Sequence, residues 1–297
     1  MSRVEAGSDL PKAKTMQLID GKSLANKIQK EVAVEVEALK QEKNIVPGLA
    51  VILIGDDPAS HAYVKMKAKA CERVGFYSIT HNMPDTISQE EIIATIKMMN
   101  DNPRIDGILV QLPLPGHIDT DKILEVIDPQ KDVDGFHPYN VGRLVTGLDG
   151  FVACTPLGVM KMFEAYDISL EGKDVCVVGA SNIVGKPMAS LLLNANATVT
   201  ITHIYTRELK RHTLAADIVV VGVGVPGLIK ADMVKEGAVV IDIGINRIED
   251  GSLVGDVDFP EVSKRCSHIT PVPGGVGPMT IAMLLQNTLK SAKKREQ

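Results

Sequence analysis

The stretch Lys173-Asp-Val-Cys-Val-Val-Gly-Ala-Ser-Asn-Ile-Val-Gly-Lys-Pro187 constrains the fold more than any other. Val175 to Val178 form a short β-branched run, as in a strand buried on both faces. Gly179 ends the run and Gly185 follows six residues later. Met188, Leu191, Leu192 and Leu193 then give the spacing of a helix. Strand, glycine turn and helix together can aim backbone N–H groups and a helix N-terminus at a phosphate. The glycine spacing is not G-x-G-x-x-G, so by itself it fits a plain βα turn equally well. The surroundings favour the nucleotide reading. Strand-like runs recur at 198–202, 218–221, 238–243 and 268–270. Several end in glycine: Gly179, Gly222-Val-Gly224 and Gly244-Ile-Asn246. Doubly wound sheets bind ligands outside the carboxyl ends of their strands, where these glycines lie.

The first half alternates in the same way. Asp20 is placed to cap a helix to about Lys43, whose buried stripe is Leu24, Ile28, Val32, Val36 and Leu39. Strands are expected at 49–54, 76–83 and 107–112. Between them, Asp57 and Pro58 open a helix to Val74, and the capping box Ser88-Gln-Glu-Glu91 opens another to Asn100. Asp119 to Ile127 reads as helical. From Asp128 to Pro156 periodicity fails, which marks a functional loop or a linker. Thr155 and Pro156 are placed to cap a bridging helix to about Tyr166. Pro271-Val-Pro-Gly-Gly-Val-Gly-Pro278 reads as a rigid loop before a final helix, Met279 to about Lys293, that packs back on the first unit. The pattern is an α/β protein of two domains, each with a mostly parallel sheet, the second Rossmann-like and doubly wound. The expected boundaries are 16–155 with 279–297 for the first domain and 156–278 for the second. Residues 1–15, polar and without an apolar core segment, read as a disordered extension rather than a secretory signal.

Composition excludes several functions. A net charge of -5 gives no basic field for nucleic acid, and 3% aromatics with no Trp gives no stacking platform. No apolar run reaches membrane-spanning length. Cys71, Cys154, Cys176 and Cys266 are scattered without C-x-x-C spacing, so neither a metal site nor a disulfide framework is expected, and the cytoplasm is the natural compartment.

Tyr63 and Lys67 lie four apart and share one helical face, with Ala62, Met66 and Ala70 expected to pack inward. Spacing alone reads this as an ordinary lysine-rich surface helix. Gln111 interrupts an apolar strand at its carboxyl end, where it either caps the sheet or faces a ligand. Asp132 and Asp134 sit in a glycine-bounded turn, the usual place for structural aspartates. His137, in the same loop, is a second candidate base.

The chain resembles the bifunctional methylenetetrahydrofolate dehydrogenase/methenyltetrahydrofolate cyclohydrolase family. The match is carried by Tyr63-Val-Lys-Met-Lys67, Gly107-Ile-Leu-Val-Gln-Leu-Pro-Leu-Pro115, Lys131-Asp-Val-Asp-Gly135, Cys154-Thr-Pro156, Gly179-Ala-Ser-Asn-Ile-Val-Gly185 and Pro271-Val-Pro-Gly-Gly-Val-Gly-Pro-Met-Thr280. The resemblance implies a homodimer that binds tetrahydrofolate derivatives in the first domain and NADP in the second. Lys67 would be the catalytic lysine, with Tyr63, Gln111 and Asp134 beside it. Tyr63, Gln111, Leu112, Pro113, Asp134, Pro273, Gly274 and Gly275 would contact substrate. Gly179, Ala180, Ser181, Ile183, His203, Ile204, Gly222, Gly244 and Ile245 would contact the cofactor.

Ala180 stands where the family has an arginine, and Ile204 where it has a serine; both would touch the 2′-phosphate of NADP. NAD specificity, however, rests on an acidic residue near the end of the second strand. That segment reads His203-Ile-Tyr-Thr-Arg207, with Lys210 and Arg211 beyond and no acid before Glu208, which favours NADP over NAD. Two rivals are a dehydrogenase of another small substrate using His137 as base, and a nucleotide sensor without turnover, which leaves Tyr63, Lys67 and Gln111 unexplained.

Overall fold

The computed structural model describes residues 16–296; the expectation for residues 1–15 lies outside them. The described chain opens with a short strand β1 (Gln17–Leu18) and helix α1 (Gly21–Lys43). Asp20 caps α1 by accepting from the Ser23 N–H, and Ile28, Val32, Val36 and Leu39 form its buried stripe. There follow β2 (Gly48–Ile54), α2 (Pro58–Val74), β3 (Tyr77–Met83), α3 (Gln89–Asp101), β4 (Gly107–Val110) and α4 (Thr120–Val126). β2 is the central strand of a three-stranded parallel sheet, with β3 and β4 on its two sides. All seven residues of β2 are buried. Leu49, Val51 and Leu53 join the core built with α1. Ala50, Ile52 and Ile54 join a second core with Ile92 and Ile96 of α3 and Ile123 of α4. A strand covered on both faces needs an unbroken apolar run, which is what its sequence has.

The segment 128–156 is not structureless. It contains α5 (Pro138–Val145), capped by His137, whose Nδ1 accepts from the Tyr139 N–H at 3.0 Å. The bridging helix α6 (Cys154–Ala165) starts a residue early, so Thr155 and Pro156 lie in its first turn rather than capping it. In α2 the inward face is the expected one at Ala70 but not at Ala62 or Met66. Ser60, Val64, Ala70, Cys71 and Val74 are buried, whereas Ala62 is exposed and Met66 is 46% exposed. β-Branched and thiol side chains fill that contact, and the methionine is left on the outside.

The second unit comprises β5 (Asp174–Val178), α7 (Gly185–Asn194), β6 (Thr198–Thr202), α8 (Leu209–Ala215), β7 (Ile218–Val221), β8 (Val239–Asp242), the hairpin strands β9 (Asn246–Arg247) and β10 (Leu253–Val254), α9 (Phe259–Val262) and β11 (His268–Ile269). Its parallel sheet has the order β1-β11-β8-β7-β5-β6. Val175 and Val177 face the core shared with α6 and α7, while Cys176 and Val178 face the opposite core with Val262 of α9. The sheet is therefore covered on both faces, as a doubly wound sheet requires. The strand Gln17–Leu18, read with the first unit, pairs instead with His268–Ile269 at the edge of this second sheet.

The last helix, α10 (Val276–Lys293), begins three residues earlier than expected. It returns to pack on α1 and α6. The α6 contact is close: a Cβ at Gly158 would lie 2.8 Å from the Met279 Cβ, and the Thr155 and Thr280 hydroxyls are 2.8 Å apart. One continuous core thus runs from the β2 face through α1, α6 and α10 to the β5 face.

Candidate active site

Lys67 and Gln111 are brought together by the βα geometry of the first unit. α2 is fixed at its start by Asp57, which accepts from the Ser60 N–H at 2.7 Å, and at its end by Gly75 in the left-handed region. That leaves Tyr63, 36% exposed, and half-buried Lys67 on the same outer face. Gln111 lies one residue beyond β4, yet its N–H still donates to the Ile52 carbonyl. Its side-chain Nε2 donates to the Leu112 carbonyl at 2.9 Å, which leaves Oε1 to accept from Lys67 Nζ at 2.9 Å. The glutamine thus faces the lysine rather than capping the sheet. Leu112 is half-buried and Pro113 exposed beside it.

The two aspartates of the 131–135 turn divide their roles. Asp132 is buried and structural: it accepts from the N–H groups of Phe136 and His137 and from Asn140 Nδ2. Burial still pushes its carboxyl up to about 6. Asp134 is half-buried, between buried Val133 and Gly135, whose φ is +74°. Burial raises its pKa, and the charge of Lys67 and the Cys154 thiol oppose that rise. Asp134 is therefore a carboxyl coupled to the Lys67 ammonium. His137 is committed to capping α5, with Nε2 3.3 Å from the Glu125 carbonyl. This leaves the rival reading with His137 as base without its base.

The Pro273-Gly274-Gly275 loop is docked on the start of α1. The Gly274 carbonyl accepts from the Lys22 N–H at 2.9 Å. A Cβ at Gly21 would lie 2.0 Å from the Gly275 carbonyl oxygen, so this contact requires glycine at 21, and a Cβ at Gly275 would lie 2.4 Å from the Pro271 carbonyl oxygen. The first turn of α10, directly after this loop, reaches the second unit, where a Cβ on Gly277 would lie 3.3 Å from Ile245 Cδ1.

In the second unit, the carboxyl ends of β5 and β7 meet. Gly179 has φ +117°, and a Cβ there would lie 2.7 Å from the Gly222 carbonyl oxygen. A Cβ on Gly185 would lie 2.0 Å from the Gly179 oxygen. Ser181 Oγ accepts from the Val184 and Gly185 N–H groups, and Ile183 is exposed at the mouth of the turn. This turn before α7, with close backbone packing at Gly179 and Gly185, fits the pyrophosphate of a dinucleotide. His203 and Ile204 lie beyond β6, with Ile204 91% exposed. Of the nearby cations, Lys210 is engaged by Asp232 at 2.6 Å, while Arg207 and Arg211 are exposed.

Sequence reasoning missed two residues here. Asp242 and Asp256 are buried, at 3% and 0% exposure. Asp242 accepts from the N–H groups of Gly244, Asp256 and Val257. Asp256 accepts from those of Val223 and Gly224 and from Asn246 Nδ2. The signal for Asp242 was present: like Gln111, it is a polar residue ending an apolar strand. A groove of about 580 Å³ between α1, α10 and residues 148–152 holds none of the expected site residues.

Fold and site together define a two-unit α/β enzyme: a dinucleotide-binding sheet joined to a unit that carries a lysine–glutamine–carboxylate cluster. The tetrahydrofolate dehydrogenase/cyclohydrolase catalytic domain matches residues 19–134, and the corresponding NAD(P)-binding domain matches 153–296. The chain belongs to the tetrahydrofolate dehydrogenase/cyclohydrolase family. It is 87% identical over 280 residues to the bifunctional protein FolD of Sulfurovum sp. (strain NBC37-1), covering 94% of this chain and 100% of that one. It is similar to the crystal structure of the bifunctional FolD methylenetetrahydrofolate dehydrogenase/cyclohydrolase of Campylobacter jejuni (58% identity, TM-score 0.93, covering 95% of this chain and 100% of that one). It is also similar to the Trypanosoma brucei dehydrogenase-cyclohydrolase complexed with NADP cofactor and inhibitor (40% identity, TM-score 0.92, covering 95% and 99%). No helix among the described residues is long and apolar enough to cross a membrane.

Proposed function

We propose that Lys67, with Gln111, Asp134 and Tyr63, forms the catalytic set of a bifunctional enzyme. It oxidises 5,10-methylenetetrahydrofolate to the methenyl form and hydrolyses that to 10-formyltetrahydrofolate. The observation that carries this reading is the 2.9 Å bond from Lys67 Nζ to Gln111 Oε1, with Asp134 coupled to the same ammonium. NADP, when bound, supplies the hydride acceptor. The chain's own part in oxidation is to position the reactants, with Gly277 at the start of α10 close to Ile245 of the second unit. In hydrolysis, water adds to the methenyl carbon, one proton leaves that water, and one reaches the departing ring nitrogen. Lys67 Nζ is the group placed to carry it, and the Gln111 carbonyl fixes its direction. Asp134 accepts from the pterin ring nitrogens, with Leu112, Pro113 and the 273–275 loop bounding the folate.

NADP is the preferred cofactor. That is supported by the NADP held by the Trypanosoma brucei relative, by exposed Arg207 and Arg211, and by the absence of an acid among residues 203–207. Gly179, Ala180, Ser181, Ile183, Gly222, Gly244 and Ile245 line the cradle, and His203 and Ile204 its 2′-phosphate end. A homodimer is supported by β6, which ends the six-stranded sheet and leaves Ile201 42% exposed. The cytoplasm is supported by four free, buried cysteines. The domain division proposed is 16–155 with 279–297 for folate and 156–278 for nucleotide, with β1 contributing its two residues to the second sheet.

The test is the absorbance of the methenyl product when purified protein meets methylenetetrahydrofolate and NADP. Formation of that product, followed by its hydrolysis, is expected. Nucleotide binding without product would instead support the sensor reading.

A further inference from the structure

We propose that Asp256, held in place by Asp242, is a positioning residue that sets the two loops on which the nucleotide lies. This rests on the nucleotide reading given above. The loops at the carboxyl ends of β7 and β8, 222–224 and 243–246, belong to separate crossovers, and the ladder between the two strands ends where the Ile243 N–H donates to the Val221 carbonyl at 2.7 Å. Asp256 joins them. Its Oδ2 accepts from the Val223 N–H at 2.6 Å and the Gly224 N–H at 3.0 Å, and its Oδ1 accepts from Asn246 Nδ2 at 2.8 Å. Asp242 in turn holds the Asp256 backbone N–H at 3.0 Å and that of Val257 at 2.9 Å, while also turning the chain at Gly244. Each carboxylate makes three acceptor contacts. The glycines around them leave room for nothing else. A Cβ on Gly244 would lie 2.3 Å from the Asp256 carboxylate, and one on Gly255 would lie 1.9 Å from Asp242 Oδ2. A fully buried carboxylate bound to backbone amides of a neighbouring loop fixes where that loop's atoms lie, and burial makes its loss costly. Asp256 itself is buried beneath the loops, so it acts through Gly222–Gly224 and Ile245 and does not touch the nucleotide.

The test uses the full chain and the variants Asp256→Ala and Asp256→Asn. The amide can still accept from Val223 and Gly224 and meet a rotated Asn246 side chain, so Asn is the conservative rescue. The readouts are NADP affinity by calorimetry, KM for methylenetetrahydrofolate, and hydrolysis of the methenyl substrate without nucleotide. The expected result is that Asp256→Ala weakens NADP at least about tenfold, the equivalent of one hydrogen bond to a charged group. Asp256→Asn should fall between it and wild type, and both folate readouts should stay within about twofold. NADP affinity unchanged in both variants, or all three readouts declining together, overturns the proposal. If the alanine variant does not fold, the asparagine variant decides by the same split. Failure of wild-type protein to bind NADP would overturn the nucleotide reading itself, before any variant is compared.

Discussion

Lys67→Ala isolates the cluster at the centre of the site. The lysine makes one direct side-chain bond, to Gln111 Oε1, and Gln111 is itself held by the Leu112 carbonyl, so the acceptor cannot swing away to another partner. Losing a positioned acid–base group costs ~10²–10⁴-fold in hydrolysis. A second effect adds to the first. Burial already raises the Asp134 pKa, and the Lys67 charge is the leading influence that lowers it. Without that charge the carboxyl moves further up, and KM for folate rises as well. Gln111→Ala alone removes one hydrogen bond to a charged group, about 1.5–3 kcal/mol, or roughly 10–100-fold in kcat/KM. The double variant should be no worse than Lys67→Ala, because the glutamine acts through the lysine. The fold should survive: both caps of α2 are remote from position 67, alanine favours helix, and stability should stay within about 0.5 kcal/mol. The assay follows the loss of methenyl absorbance without nucleotide, with thermal melts in parallel. Lys67→Ala turnover within a few-fold of wild type, or losses that simply multiply in the double variant, would refute the reasoning.

Asp134→Ala should weaken folate by about 1.5–3 kcal/mol and leave NADP affinity unchanged, as measured by calorimetry; unaltered folate affinity would return Asp134 to a structural role. Ala180→Arg should enlarge the NADP-to-NAD ratio of kcat/KM, because a guanidinium meets a phosphate with two parallel bonds. In wild type, where exposed Arg207 and Arg211 remain, that ratio should shrink as salt rises, and a preference for NAD at low salt would contradict the cofactor assignment. The carboxyls of Asp132 and Asp242 are both pushed up to about 6 by burial. The stability they contribute is fully present below the ordinary carboxylate pKa and is lost as pH rises through about 6. Denaturant unfolding should therefore show greater stability at about pH 5 than at about pH 7.5, with a smaller difference in Asp132→Asn; stability that stays level or increases from about pH 5 to about pH 7.5 would count against both assignments.

Much of this architecture is written in local signals. The α2 caps and the Ser88–Glu91 box give helix ends, and the β-branched runs at 174–178 and 218–221 are strands buried by helices on both faces, with the run at 198–202 forming the half-exposed edge strand beside them. Gln111 stood out because a polar residue at the end of an apolar strand needs a partner, and that partner is Lys67. What was not legible depends on contacts distant in sequence. α5 buries only Asn140 and Leu144 and is capped by a histidine, so no periodic stripe or usual cap marks it. β1 has two residues and owes its place to β11, some 250 positions later. The inward face of α2 is selected by what covers it, and Asp256 gains its role in part from a loop more than thirty residues upstream.

The path of α10 also bears on how the molecule is made. The apolar stripe of α1 and the inner face of β2 lie early in the chain, yet eight buried residues of α10, the last helix, complete their shared core. Until those residues leave the ribosome, the first unit has an uncovered flank of Ile28, Val32 and Val36, whereas all but the β1 and β11 edge of the second sheet can already have formed. The unit begun first is the last to close, and a nascent chain halted before position 276 carries that sticky flank as its point of recognition for chaperones and proteases.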